Sequence, residues 1–190
     1  MAHSLPLLPD VLRPTLDHHL AQWRAAADAA GLASELPSLS DEFQQQLPQV
    51  LAGSDYVAEQ LRRDPALAWR LLEDGLLLRS LHDGEMRSML QHELLHQVRI
   101  IWRDLTRVAV LAETTRDLSD MADVCIDEAY RWLYAQTCVA LGEPCSSNGE
   151  PQHMVVLGMG KLGAFELNLS SDIDLIFAYP EPGETQGGRP

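Results

Sequence analysis

The sequence is poor in positive charge: its 190 residues carry 14 Lys and Arg against 28 Asp and Glu, a formal net charge of −14. A groove that follows the phosphates of RNA or DNA needs clustered Lys and Arg, so a nucleic-acid partner is excluded and a protein or small-molecule substrate is favoured. Long apolar runs are missing too. Nowhere do about 18 uncharged apolar residues follow one another, so no membrane span is expected. The N-terminus lacks a basic-then-apolar signal pattern. Cysteine is scarce: Cys125, Cys138 and Cys145 are odd in number and lack metal-site spacing. A reducing, cytoplasmic setting follows as the expectation. No internal repeat or low-complexity tract is visible.

What is present is a long helical pattern followed by short strand signals. Leu16, Leu20, Trp23 and Ala27 share a helical face that Gly31 closes. A helix is expected from Asp41, interrupted near Pro48, and Ser54 can cap a short helix ending near Arg63. Asp64-Pro65 reads as the start of another, with Gly75 as its stop. The longest helix is expected over 85–113, its seam marked by Leu90, Leu94, Val98, Ile101, Leu105, Val108 and Ala112. A further helix after Ser119 is expected to hold Trp132, Leu133 and Val139 inside, ending before Gly142. From Gly142 to Gln152 the composition shifts to Gly, Pro, Ser and Asn, so the chain divides into a helical domain, 1–150, and the opening of a second, incomplete domain, 151–190.

Inside the long helix lies His92-Glu93-Leu94-Leu95-His96, a literal HExxH. Its imidazoles, at i and i+4, could chelate zinc with Glu93 as general base. Both histidines fall opposite the Leu94/Val98/Ile101 seam, however, and no HxxGxxH continuation follows. Two solvent-facing histidines are therefore expected rather than a metal site. In Arg99–Leu105, Trp102 extends the apolar face, while Arg103 and Asp104 suit interhelical polar pairing of a structural kind.

The chemistry concentrates at 158–174, GMGKLGAFELNLSSDID. The apolar run Met154–Leu157 precedes it, and the alternation from Asp172 to Phe177 is a strand signal. On such a strand Asp172 and Asp174 share a face about 7 Å apart, with Ile173, Leu175 and Phe177 on the other. Two neighbouring carboxylates repel unless protonated or bridged by a cation, and hard oxygen ligands suit Mg²⁺ carrying phosphates. Gly158-x-Gly160-x-x-Gly163 also matches a dinucleotide fingerprint, but a helix confined to about Leu162–Asn168 is too short for a parallel crossover. A Walker A loop fails because Leu162 follows Lys161.

Gly160, the eleven residues 161–171, Asp172, one spacer and Asp174 resemble the nucleotidyltransferase pattern of a glycine followed by paired acids. Gly158–Gly163, Glu166-Leu167-Asn168 and Ser170–Phe177 further resemble the bacterial family that adenylylates and deadenylylates glutamine synthetase. Arg99–Leu105 is similar to that family's helical region, and the resemblance covers roughly residues 85–180. The family usually has glycine where Ala164 stands, a change expected to stiffen the turn.

The resemblance implies an α+β chain, a mostly helical N-terminal region followed by the first strands of a polymerase-beta-like nucleotidyltransferase fold, truncated before a third carboxylate on a later strand. It implies Asp172 and Asp174 as catalytic Mg²⁺ ligands, and Gly160, Lys161, Ser170 and Ser171 as nucleotide- or phosphate-binding residues. ATP, ADP and phosphate are the implied substrates or products. Glutamine synthetase is the implied partner, together with the PII signalling protein through the full-length enzyme. The motif's position is similar to that of the first of two modules, to which the family assigns phosphorolytic removal of AMP from a glutamine synthetase tyrosine, releasing ADP in the control of nitrogen assimilation. The 190 residues alone are expected to have weak or no catalysis. Two other readings stay open: a non-catalytic helical interaction module with a degenerate nucleotide fold, and an NAD-binding Rossmann protein.

Overall fold

The computed structural model describes residues 8–77 and 93–187, and the chain divides into two compact units, 1–114 and 115–190. Helices dominate and the strands are few and antiparallel, an α+β arrangement.

The first unit is helical: α1 (Arg13–Ala29), α2 (Asp41–Gly53), α3 (Asp55–Arg63), α4 (Leu67–Leu72), α5 (Glu93–Leu105) and the first turn of α6 (Leu111–Leu141). Apolar residues spaced by three and four give α1, α2 and α3 one buried face, while α5 is buried on nearly all sides. Phe43, Leu47, Val50 and Leu51 of α2, Val57 and Leu61 of α3, Leu67 and Leu71 of α4, and Leu95, Val98 and Trp102 of α5 close into one core. Each fully buried Val or Leu there contributes roughly 1.5–3 kcal/mol. The Phe43 and Trp102 rings stack with centroids 4.5 Å apart, and the Trp102 indole N–H donates to Gln46 Oε1 at 2.6 Å.

Local signals hold in part. Ser40 and Ser54 cap α2 and α3 by accepting from Phe43 N and Val57 N, each at 3.2 Å. Helix α2 runs unbroken through Pro48 to Gly53. The lost hydrogen bond at Pro48 is outweighed by burial of Leu47, Val50 and Leu51 on either side. Helix α4 begins at Leu67 rather than at Pro65, and Asp64 binds the Arg70 guanidinium instead of capping it with its side chain.

The helix expected over 85–113 is different. Residues 85–92 lie outside the described residues; α5 stops at Leu105, and Arg107 takes a left-handed φ of 58° before α6 begins at Leu111. No glycine or proline marks this corner. Buried polar bonds hold it instead. Arg103 donates to Leu77 O at 2.8 Å and pairs with Glu113 at 2.6 Å, and the Thr114 hydroxyl donates to Asp104 Oδ1 at 2.9 Å. Arg99 Nε donates to Leu76 O at 2.8 Å. The expected structural pairing of Arg103 and Asp104 is thus observed.

In the second unit α6 reaches Leu141, making it the longest described helix, and Ser119 lies inside it rather than before it. Strand β1 (Glu143–Cys145) pairs antiparallel with β4 (Glu184–Gln186), and β2 (Val155–Gly158) pairs antiparallel with β3 (Leu175–Ala178), Val156 opposite Phe177. Tyr134 donates to Gln152 O at 3.2 Å and the Tyr130 hydroxyl accepts from Met154 N at 2.9 Å, tying α6 to the strands. An apolar cleft of about 750 Å³ lies between them, lined by Ile126, Leu133, Tyr134, Val156 and Phe177. Trp132, Leu133 and Val139, expected inside, are exposed, because the described strands reach only part of the α6 apolar face. Among the described residues no helix is long and apolar enough to cross a membrane.

Candidate functional site

The glycine-rich turn is built by close approach. Strand β2 delivers Gly158, and the one-turn helix α7 (Gly160–Gly163) folds back on it. A Cβ on Gly158 would sit 2.9 Å from Leu162 Cγ, and one on Gly163 would strike the Gly158 carbonyl oxygen. Those two glycines are packing residues. Gly160 differs: its φ is +54°, and no heavy atom lies within 4 Å of a Cβ built there. The backbone at 160 is thus left-handed and open to an incoming group. Ala164, by contrast, has φ −93° and ψ −2°, a region open to any residue. Alanine at that position is accommodated without strain, so it narrows the backbone's freedom there without distorting the turn.

Downstream, the chain is knotted by backbone bonds. Glu166 N donates to Lys161 O at 2.8 Å and Phe165 N to Leu162 O at 3.0 Å. Ser171 N donates to Asn168 O at 3.1 Å while the Ser171 hydroxyl accepts from Asn168 N at 3.3 Å. Met159 N donates to Asp174 O at 2.9 Å, which sets the glycine turn beside the acidic segment. The strand itself begins at Leu175, so Asp172 and Asp174 stand on the loop leading into β3 rather than on the strand. The strand is late because its partner β2 ends at Gly158, opposite Leu175, and the turn at Gly160 leads the chain away.

Gly160, Lys161, Ser170, Asp172 and Asp174 are exposed and Ser171 is half-buried. Among the described residues neither acidic side chain takes part in a hydrogen bond or ion pair. Two open carboxylates are hard oxygen donors of the type that suits Mg²⁺. No group of three or more His, Cys, Asp or Glu gathers to hold a metal among the described residues, so a cation here would complete its shell with water or substrate oxygens. Lys161 is the chain's single lysine, and it stands on the glycine turn.

The HExxH stretch reads differently in three dimensions. His92 lies outside the described residues, while His96 is buried rather than solvent-facing, and Leu94 of the supposed seam is exposed. The buried face of α5 runs through Leu95, Val98, Arg99 and Trp102 because the helix is surrounded by core rather than lying across its edge. Neither imidazole nitrogen of His96 has a hydrogen-bond partner among the described residues. Burial, with the Arg99 charge nearby, pushes its pKa down to about 4. The ring is a neutral core residue.

Antiparallel pairing of β2 with β3, joined through a four-residue helix, is not the parallel crossover that a dinucleotide fold requires. Sequence reasoning missed Ser119 and Arg116. Ser119 Oγ accepts from Leu167 N at 3.2 Å, and the Arg116 guanidinium lies 5.1 Å from the Phe165 ring centroid. Nothing in a serine and an arginine 48 and 49 residues upstream signals that contact.

A family model described as Glutamate-ammonia ligase adenylyltransferase matches residues 76–190. The chain is 49% identical, over 98% of its length, to the bifunctional glutamine synthetase adenylyltransferase/adenylyl-removing enzyme of Pseudomonas aeruginosa, and covers 21% of that protein. It is 47% identical over 96% of its length to the protein of the same description from Pseudomonas putida, again covering 21%. With the Thioalkalivibrio sulfidiphilus relative the identity is 42%, over 98% of this chain and 20% of the relative. The chain thus spans about a fifth of the length of the curated relatives it matches. Taken with a glycine turn that opens beside two unpaired acids, the match over residues 76–190 places this chain in the glutamate-ammonia ligase adenylyltransferase family.

Proposed function

We propose that residues 151–190 open a polymerase-beta-like nucleotidyltransferase domain, preceded by a helical domain over 1–150, and that the site handles the phosphates of an adenylyl group. The observation that carries this reading is the pair of exposed, unpartnered carboxylates, Asp172 and Asp174, hydrogen-bonded through the Asp174 backbone to the turn at Gly160. Asp172 and Asp174 hold Mg²⁺. When bound, the ion neutralises charge on the phosphate under attack. The open left-handed backbone at Gly160 admits phosphate oxygens, the Lys161 ammonium supplies a cation, and the Ser170 hydroxyl donates. Ser171 both donates and holds the loop through its bond from Asn168 N.

In a chain of the relatives' full length the reaction is removal of AMP from a glutamine synthetase tyrosine by phosphate, releasing ADP, in a cytoplasmic enzyme that also answers to a PII signalling protein. Among the described residues only two carboxylates meet at the site, and two such donors hold a cation weakly, so these 190 residues by themselves turn over weakly or not at all. The test is Asp172→Asn with Asp174→Asn in a full-length chain carrying this segment, assayed for phosphorolysis of adenylylated glutamine synthetase. Loss of phosphorolysis with adenylylation retained supports the reading, and undiminished phosphorolysis removes the two acids from the mechanism.

A further inference from the structure

The acids sit on a loop, and loops hold a geometry only where something fixes them. Asp172-Ile173-Asp174 is fixed downstream by the bond from Met159 N to Asp174 O. Upstream, the paired Asn168–Ser171 bonds form a closed turn, and that turn hangs from Leu167. Leu167 is buried, and its amide has one acceptor on the side chain of a distant helix, Ser119. Ser119 is fully buried, and its hydroxyl donates to Thr115 O at 2.8 Å, which leaves an oxygen lone pair aimed at Leu167 N. One turn back, Arg116 covers the ring of Phe165, a residue with a left-handed φ of 57°. Phenylalanine rarely adopts that conformation, and surrounding contacts must hold it there.

We infer that Ser119 and Arg116 are positioning residues: through Leu167 and Phe165 they clamp the loop to α6 and fix the spacing of Asp172 and Asp174 for a divalent cation. The inference rests on the proposed reading of the two acids as metal ligands. Neither residue touches the cation or substrate. With the clamp intact the acidic segment is tethered at both ends. Without it the upstream end keeps only its local bonds, Phe165 N to Leu162 O and Glu166 N to Lys161 O, loses its anchor on α6, and the separation of the carboxylates varies.

The test uses the 190-residue chain and two readouts. In Ser119→Ala, amide hydrogen exchange at Leu167, Asn168 and Ser171, whose amides are hydrogen-bonded, should quicken about tenfold, as for the loss of one hydrogen bond to a buried amide, while amides of α6 beyond residue 120 keep their rates. Ser119→Thr, which keeps the oxygen, should restore the slow rates, and Arg116→Leu should quicken them to a smaller extent. In parallel, Mn²⁺ is titrated as a paramagnetic probe, and about tenfold more should be needed to broaden the Asp172 and Asp174 amides in Ser119→Ala, the same free energy read as affinity. Unchanged exchange at Asn168 and Ser171 in both Ser119→Ala and Arg116→Leu would overturn the clamp. So would equal quickening throughout residues 115–187, which marks general loosening. Absence of Mn²⁺ broadening in the unsubstituted chain would instead count against the two acids as ligands, and the clamp would then stand or fall on exchange, which needs no metal.

Discussion

The two units treat large apolar side chains in opposite ways. Trp102, in the first, is fully buried, stacked on Phe43 and hydrogen-bonded through its indole; Trp132, in the second, is 64% exposed, with Leu133 and Phe177 more than half exposed beside the apolar cleft. The first unit closes its own core, whereas the second is two two-stranded sheets laid along a helix. Two-stranded pairs are marginal alone, so specific tethers such as Tyr130, Tyr134 and Ser119 supply what packing does not. Stability is thus concentrated away from the candidate site.

The sharpest way to break that contrast is a matched pair of truncations. Trp102→Ala should cost about 4 kcal/mol in denaturant unfolding, since it empties a packed site and orphans Gln46 Oε1. Trp132→Ala should stay within about 0.5 kcal/mol. Equal losses would show that the second unit buries its tryptophan in solution.

A second measurement uses acid. His96 is held near a pKa of about 4 when folded, against about 6.5 when exposed, so the unfolded chain binds the extra proton first. Stability is complete above about pH 6.5 and falls by up to about 3 kcal/mol as the pH drops to 4. His96→Leu should flatten that slope, read from denaturation midpoints between pH 4 and 7.

Within the second unit, two glycines separate packing from conformation. Gly163→Ala drives a methyl into the Gly158 carbonyl and should cost about 2 kcal/mol, detaching α7 from β2. Gly160→Ala meets open space and should cost only the left-handed penalty, about 1 kcal/mol. Circular dichroism melts of both variants give the order. The smallest effect belongs to the first unit's surface. Arg62→Ala removes an exposed pair with Glu59, which also binds Arg63, and should leave the melting temperature unchanged within error.

Much of this was legible beforehand. The face of α1, the Ser54 cap, the buried Trp102 and the glycine turn between two short strands follow from local spacing, and the polar role of Arg103 and Asp104 from their residue types, whereas the expected break of α2 at Pro48 does not occur. The corner at Arg107 was not, because a left-handed arginine has no composition signal and is held by bonds to residues far along the chain. His96 was misplaced because a 100° periodicity tells which residues share a face, but not how many faces a helix buries. The acids came out on a loop because strand length is set by the partner strand, and β2 stops at Gly158.

By itself, then, the sequence determined the residue types and their local order: helix-forming faces, caps, the spacing from Gly160 to Asp174, and the family pattern that these compose. Only the tertiary structure decided which faces were sealed, where β3 began, and that Ser119 reaches Leu167 across 48 residues. The physical reason is that burial and hydrogen-bond acceptors come from wherever the chain returns, and a neighbour in space leaves no mark on the residues next to it in line.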